Sequence, residues 1–128
     1  MHRSFRKICS AIIIAALFSL TTSIYAAGQT ITAAEAANHM GEQGTVCGMV
    51  ASAHFANQSR GQPTFINLDR PYPNQIFTVM IWGSDRDKFR NAPETYYQDK
   101  AVCVTGTIKG YRGKPEIIVK NPDQIRLQ

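Results

Sequence analysis

A chain of 128 residues, 44% hydrophobic and 18% charged, has material for one modest core and excludes a two-domain arrangement. Its formal charge of +5 points toward a polyanion, but Arg3, Arg6 and Lys7 crowd the first seven positions. Without them, 11 Lys and Arg face 9 Asp and Glu, a net charge of +2. Composition therefore excludes a generally basic surface, and any polyanion site has to be built locally.

The N-terminal segment has the parts of an export signal. Arg3, Arg6 and Lys7 supply a positive start, residues 8–20 form an apolar run broken only by Ser10 and Ser19, and small residues gather at Ala26 and Ala27. The run is shorter than the roughly 20 apolar residues a spanning helix wants, and no stop-transfer pattern follows. We read residues 1–27 as a signal peptide, cleaved after Ala26 or Ala27, and residues 28–128 as a single domain without a membrane span. The destination is periplasmic or secreted; a retained N-terminal anchor is the alternative. Cys9 precedes the apolar run, so it is not a lipid-attachment site, and it leaves with the signal.

Thr32, with Glu35 three residues later, has the form of a capping box, and Ala33, Ala34, Ala36 and Ala37 favour a helix. A short N-terminal helix is expected, stopped by Gly41 and Gly44. Five strands follow: 45–55, 64–68, 76–82 (I-F-T-V-M-I-W, the most hydrophobic), 101–111 and 116–119. Gly61 and Pro63, Pro71 and Pro73, then Gly110, Gly113 and Pro115 supply the turns. One or two helical turns over 84–90, capped by Ser84 with Asp85 and Asp87 near their start, are expected as a short helix between the third and fourth strands. Residues 121–127 add a final turn or edge strand. Three strands, a helix and two strands is the order of an all-β, five-stranded Greek-key barrel of the OB type, its helix plugging one end between strands 3 and 4. A small open sheet or sandwich would use the same elements.

An internal echo bears on this choice. Arg60-Gly61-Gln62-Pro63-Thr64-Phe65-Ile66 and Arg112-Gly113-Lys114-Pro115-Glu116-Ile117-Ile118 share the form R-G-x-P, a polar residue and two apolar ones. Each lies between a long strand and a short one, and two similar hairpins need similar turn chemistry. In an OB barrel these loops flank the ligand face, which would gather Arg60, Arg112 and Lys114 at the rim of one groove. With G-Q-P-T-F-I-N-L, Y-P-N-Q-I-F-T-V-M-I-W, V-C-V-T-G-T-I and Y-R-G-K-P-E-I in place, the chain resembles the small exported bacterial OB-fold proteins, a nucleic-acid-binding-like family. The resemblance implies the fold over most of residues 28–128. It leaves function open, since OB folds take single-stranded nucleic acid, glycans or protein.

Stacking partners for bases come from aromatic residues. Phe77 alternates with Val79 and Ile81 and belongs to the core. Phe65 shares parity with Asn67, which makes the two a mixed aromatic and amide surface. Tyr111 stands beside Arg112 at a loop tip. Trp82 ends its strand, where it either caps the barrel or offers a stacking plane. Cys47 and Cys103 each occupy the face opposite their valine neighbours, on strands adjacent in an OB barrel; a disulfide is the reading, two buried free thiols the alternative.

Catalysis lacks an assembled constellation. His39 and His54 have no metal-ligand spacing, no nucleophile elbow or phosphate loop appears, and Asp69-Arg70 lacks companion carboxylates and reads as a turn beside Pro71 and Pro73. We expect no enzyme, no metal and no cofactor. The function expected is a non-catalytic binding module of the cell envelope, holding single-stranded nucleic acid through Arg60, Arg112 and Lys114, with Phe65, Asn67, Trp82 and Tyr111 along the face. An envelope stress or interaction protein binding a protein or glycan is the second reading.

Overall fold

Period-two alternation sets the interior. Val46, Val50, Ile66, Leu68, Phe77, Val79, Ile81, Val102, Val104 and Ile117 point to one core and are all but fully buried. The computed structural model describes residues 13, 14, 16–19 and 28–128; most of the export signal expected over residues 1–27 lies outside them. The strands are β1 (Thr30–Thr32), β2 (Gln43–Phe55), β3 (Thr64–Leu68), β4 (Phe77–Ile81), β5 (Ala101–Thr107), β6 (Lys109–Tyr111), β7 (Lys114–Ile118) and β8 (Ile125–Leu127). They form a mostly antiparallel sheet in the order β6-β7-β4-β3-β2-β5-β8, with β1 beside β2. The parallel pairs are β1–β2 and β4–β7.

Eight strands stand where five were expected, and the hydrogen-bonded path is open. The expected strand over 101–111 is cut at Ile108, whose N–H donates to the Glu42 carbonyl at 2.9 Å and whose carbonyl accepts from the Gly41 N–H at 2.6 Å. Its backbone leaves the ladder while its side chain stays in the core. The two halves then pair with different neighbours, β5 with β2 and β6 with β7. Behind the break β5 and β7 touch, and Gly106 permits the approach: a Cβ there would lie 2.8 Å from Ile117 Cγ2.

Both expected helical segments are present as 3-10 turns. Thr32 and Glu35 do exchange capping bonds, Thr32 N–H to Oε2 at 3.0 Å and Glu35 N–H to Oγ1 at 3.3 Å. Thr32 is held as the last residue of β1, however, and Gly41 in the left-handed region (φ 86°) follows soon after, leaving room for a 3-10 turn at Ala36–His39. The segment expected as a helix over 84–90 is a 3-10 turn, Gly83–Lys88, without a side-chain cap, followed by α1 (Pro93–Tyr96). Ala92, preceding Pro93, is extended at ψ 116° and separates the two. No helix among the described residues is long and apolar enough to cross a membrane.

Arg86 anchors this irregular segment to the sheet. Its guanidinium lies 3.6 Å over the Phe55 ring, donates to Thr64 Oγ1 at 2.6 Å, and forks onto both Glu94 carboxylate oxygens at 2.7 and 3.3 Å. Burial works against the Glu94 anion, but the Arg86 hydrogen bonds and charge outweigh it and hold the carboxyl below its ordinary range. On the outer face of β2 and β5, Cys47 and Cys103 are direct cross-strand partners joined by a disulfide with S–S 2.07 Å. Thr32 on β1 and Arg126 on β8 flank the bond in register.

Candidate functional site

β2 serves two ladders and bends between them. Gln43–Met49 pairs with β5 and Val50–Phe55 with β3, with a register shift between Val50 and Ser52. Asp69 holds the bend from the left-handed region (φ 65°): its N–H donates to the Met49 carbonyl at 2.7 Å, and its Oδ1 accepts from the Met49 N–H at 2.9 Å. Gly48 makes space for it, since a Cβ there would lie 2.8 Å from that oxygen. Asp69 is thus engaged with the β2 backbone. Among the described residues, no group of three His, Cys, Asp or Glu gathers as a metal site would require.

Past the bend, β2, β3, β4 and the β6–β7 hairpin enclose a groove of about 570 Å³. A polar row crosses its floor. Ser52, Asn67, Thr78 and Glu116 are successive cross-strand partners on β2, β3, β4 and β7. Asn67, 4% exposed, donates from Nδ2 to Ser52 Oγ at 3.0 Å and accepts at Oδ1 from Thr78 Oγ1 at 2.8 Å. Ser52 Oγ also accepts from the Tyr72 N–H at 3.0 Å, which draws the β3–β4 loop to the groove edge. Glu116 ends the row at 8% exposure. Burial pushes its carboxyl up from the ordinary value, and the charge of Lys109, its partner on β6, opposes the shift.

Aromatic and cationic side chains form the walls. Phe65 lines the groove beside Asn67, while Tyr72 and Tyr111 are 74% and 54% exposed at its rim. Arg112 (φ 50°) and Gly113 (φ 77°) make the two-residue turn between the paired Tyr111 and Lys114, the left-handed pair a tight hairpin wants. The Arg112 guanidinium stands 5.3 Å from the Tyr111 ring centroid, and Lys114 Nζ donates to the Pro73 carbonyl at 3.4 Å. The hairpin thereby reaches the β3–β4 loop and presents its cations along one side.

The first R-G-x-P segment behaves differently. Its left-handed residues are Gly61 (φ 76°) and Gln62 (φ 46°), one position later in the motif. Gly61 packs under Trp82, where a Cβ would lie 2.8 Å from Cζ3. Arg60 is exposed on this loop and does not line the groove; neither does Trp82. Of the seven residues expected at the site, the fold brings Phe65, Asn67, Tyr111, Arg112 and Lys114 to one groove and leaves Arg60 and Trp82 off its walls. The opposing wall is made of Ser52, Ala53, His54, Ala56 and Ser59, so fixed positive charge sits on the hairpin side.

Ser52, Gln75, Thr78 and Glu116 also line the groove, beyond the residues expected from the sequence. For Thr78 and Glu116 the signal was parity. Each alternates with buried apolar neighbours, Phe77 and Val79 in one case and Ile117 in the other, and so faces the opposite side.

No protein-family model and no curated protein matches the chain. Among solved structures it is similar to a putative aspartyl-tRNA synthetase from Leishmania major Friedlin, with 14% identity and a TM-score of 0.48 over 84% of this chain and 22% of that one. It is also similar to an aspartyl-tRNA synthetase from Entamoeba histolytica, with 15% identity and a TM-score of 0.42 over 70% of this chain and 19% of that one. The chain thus spans about a fifth of the length of either synthetase, 22% and 19%.

Proposed function

We propose that this chain is an exported, non-catalytic binding module that holds single-stranded nucleic acid in the groove, on an OB-type barrel whose wall is completed through β5, Ile108 and β6. The observation that carries the reading is the β6–β7 hairpin: Arg112 and Lys114 stand beside the half-exposed ring of Tyr111 over a floor of hydrogen-bonding side chains. Backbone phosphates are held by cations, bases stack on aromatic faces, and polar side chains meet base edges. The sequence of residues 1–27 supports export, which makes the ligand an extracytoplasmic one. No cofactor enters this reading.

Fluorescence anisotropy with labelled thymine oligomers at low salt tests the proposal. Saturable binding that weakens when Arg112 and Lys114 are both replaced by alanine supports it; no binding by correctly folded protein ends it. One observation favours an envelope protein with a glycan or protein ligand instead: the wall opposite the hairpin carries no Lys, Arg, Asp or Glu. That ligand would bind with little response to salt.

A further inference from the structure

The polar row across the groove is satisfied at one end and open at the other. Ser52, Asn67 and Thr78 bond to one another, whereas the Glu116 carboxylate receives no hydrogen bond or ion pair among the described residues. Lys109 faces Glu116 in register from β6 without closing an ion pair with it. Gln75 Oε1, on a residue lining the same groove, is buried and also lacks a donor. Gln75 Oε1 is a buried acceptor left unpaired, which is costly, and Glu116 adds a carboxylate without a protein donor in the same groove; both suit a ligand that brings donors.

The bases differ sharply in what they bring. A carboxylate accepts best from two parallel N–H groups on a planar edge. Guanine presents N1–H and N2–H side by side on its Watson–Crick edge. Adenine and cytosine present one amino group next to a ring acceptor, and thymine presents one N–H between two carbonyls that repel an anion. Resting on the reading of the groove as a single-strand site, we propose that Glu116 selects guanine, accepting from N1–H and N2–H of a base stacked against the aromatic wall. Gln75 Oε1 is the second acceptor for donors on that nucleotide.

The test uses the folded chain and three labelled oligomers of about 11 nucleotides, all thymine except for a central guanine, hypoxanthine or thymine. Hypoxanthine keeps N1–H and lacks the N2 amino group. The guanine oligomer should bind about tenfold more tightly than the hypoxanthine one, the order expected for a bidentate contact. That ratio should fall to within about twofold of unity in Glu116→Gln, whose folding is checked by near-ultraviolet circular dichroism. Glu116→Asp, which keeps the carboxylate, should retain a preference for guanine. Equal affinity for the three oligomers, or a preference that survives Glu116→Gln, overturns the assignment while leaving the binding module standing. Failure of all three to bind overturns the binding module itself, and with it the assignment.

Discussion

Replacing Arg112 by alanine removes one of the two hairpin cations that line the groove, and its consequence can be worked out from the charge layout. Each phosphate neutralised on a single strand contributes about −0.7 to the slope of log affinity against log salt. Arg112 and Lys114 together give a slope of about −1.4, so affinity should fall about sevenfold between roughly 50 and 200 mM salt. With Arg112→Ala the slope should halve to about −0.7, and the same change in salt should cost about threefold. Arg60 lies outside the groove, so Arg60→Ala should keep the parent slope. Anisotropy titrations of a labelled thymine oligomer at four salt concentrations measure all three slopes. A parent slope near zero, or an Arg60→Ala slope lowered as much as that of Arg112→Ala, would refute phosphate binding by this hairpin.

The disulfide closes a separation of 56 residues, for which the loop-entropy account gives about 4 kcal/mol of stability. Urea unfolding of Cys47→Ser/Cys103→Ser should show that loss, and two alkylatable thiols in the unreduced exported protein would rule the bond out. Arg86→Met leaves the Glu94 carboxylate without its partner and should cost about 2 kcal/mol, part of it recovered by adding Glu94→Gln. Because Glu94 titrates below its ordinary range when folded, the ion pair's contribution is present above the unfolded pKa and is lost as pH falls through the folded one. The gap between parent and Arg86→Met should therefore narrow in acid. Glu116 behaves oppositely: its raised folded pKa contributes stability below the unfolded value that is lost as pH rises through the folded one. Lys109 on β6, Arg112 and Lys114 on the hairpin and His54 on β2 are the charged and titratable groups around it, with Tyr72 and Tyr111 at the rim. Urea midpoints of Glu116→Gln should gain on the parent as pH rises from about 4; midpoints that track the parent across the range would contradict this. Gly113→Asn should be nearly neutral, since a Cβ at Gly113 meets nothing within 4 Å and Asn accepts the left-handed region. Gly61→Asn should lower the melting temperature clearly, because its Cβ would strike Trp82.

Local alternation made the strand interiors legible. Thr64–Leu68 falls where it was expected, and Phe77, Val79 and Ile81 are buried as their spacing implied. The cysteine pairing was legible too, because Cys47 and Cys103 both break from their valine neighbours toward the same outer face. What escaped is whatever depends on a distant partner. Nothing near Ile108 in the sequence announces that its N–H and carbonyl will turn to Glu42 and Gly41 and split a strand. Thr32 and Glu35 exchange capping bonds as their spacing implies, yet Thr32 also belongs to a parallel ladder with β2. At the groove, the parity of Phe65 and Asn67 is legible, whereas Glu116 sits in the second R-G-x-P segment, where the turn signal masks its alternation with Ile117.

The R-G-x-P echo shows how one string of letters can serve two ends. Both copies supply a glycine that enters the left-handed region, but the surroundings choose which neighbour joins it. In the first copy Trp82 presses on Gly61, and the left-handed pair is Gly61 and Gln62. In the second nothing presses on Gly113, and the pair shifts back to Arg112 and Gly113, forming a two-residue hairpin. That one-residue difference goes with the asymmetry of the groove lining. It places Arg112 at the turn itself, with Tyr111 and Lys114 as the last ladder pair on either side, so a ring and two cations reach the groove together. In the first copy the same arginine precedes the turn, on a loop that Gly61 ties to Trp82, and stays off the groove wall. Symmetry of sequence predicted cations on two sides of the groove; the contacts of Trp82 leave them on one.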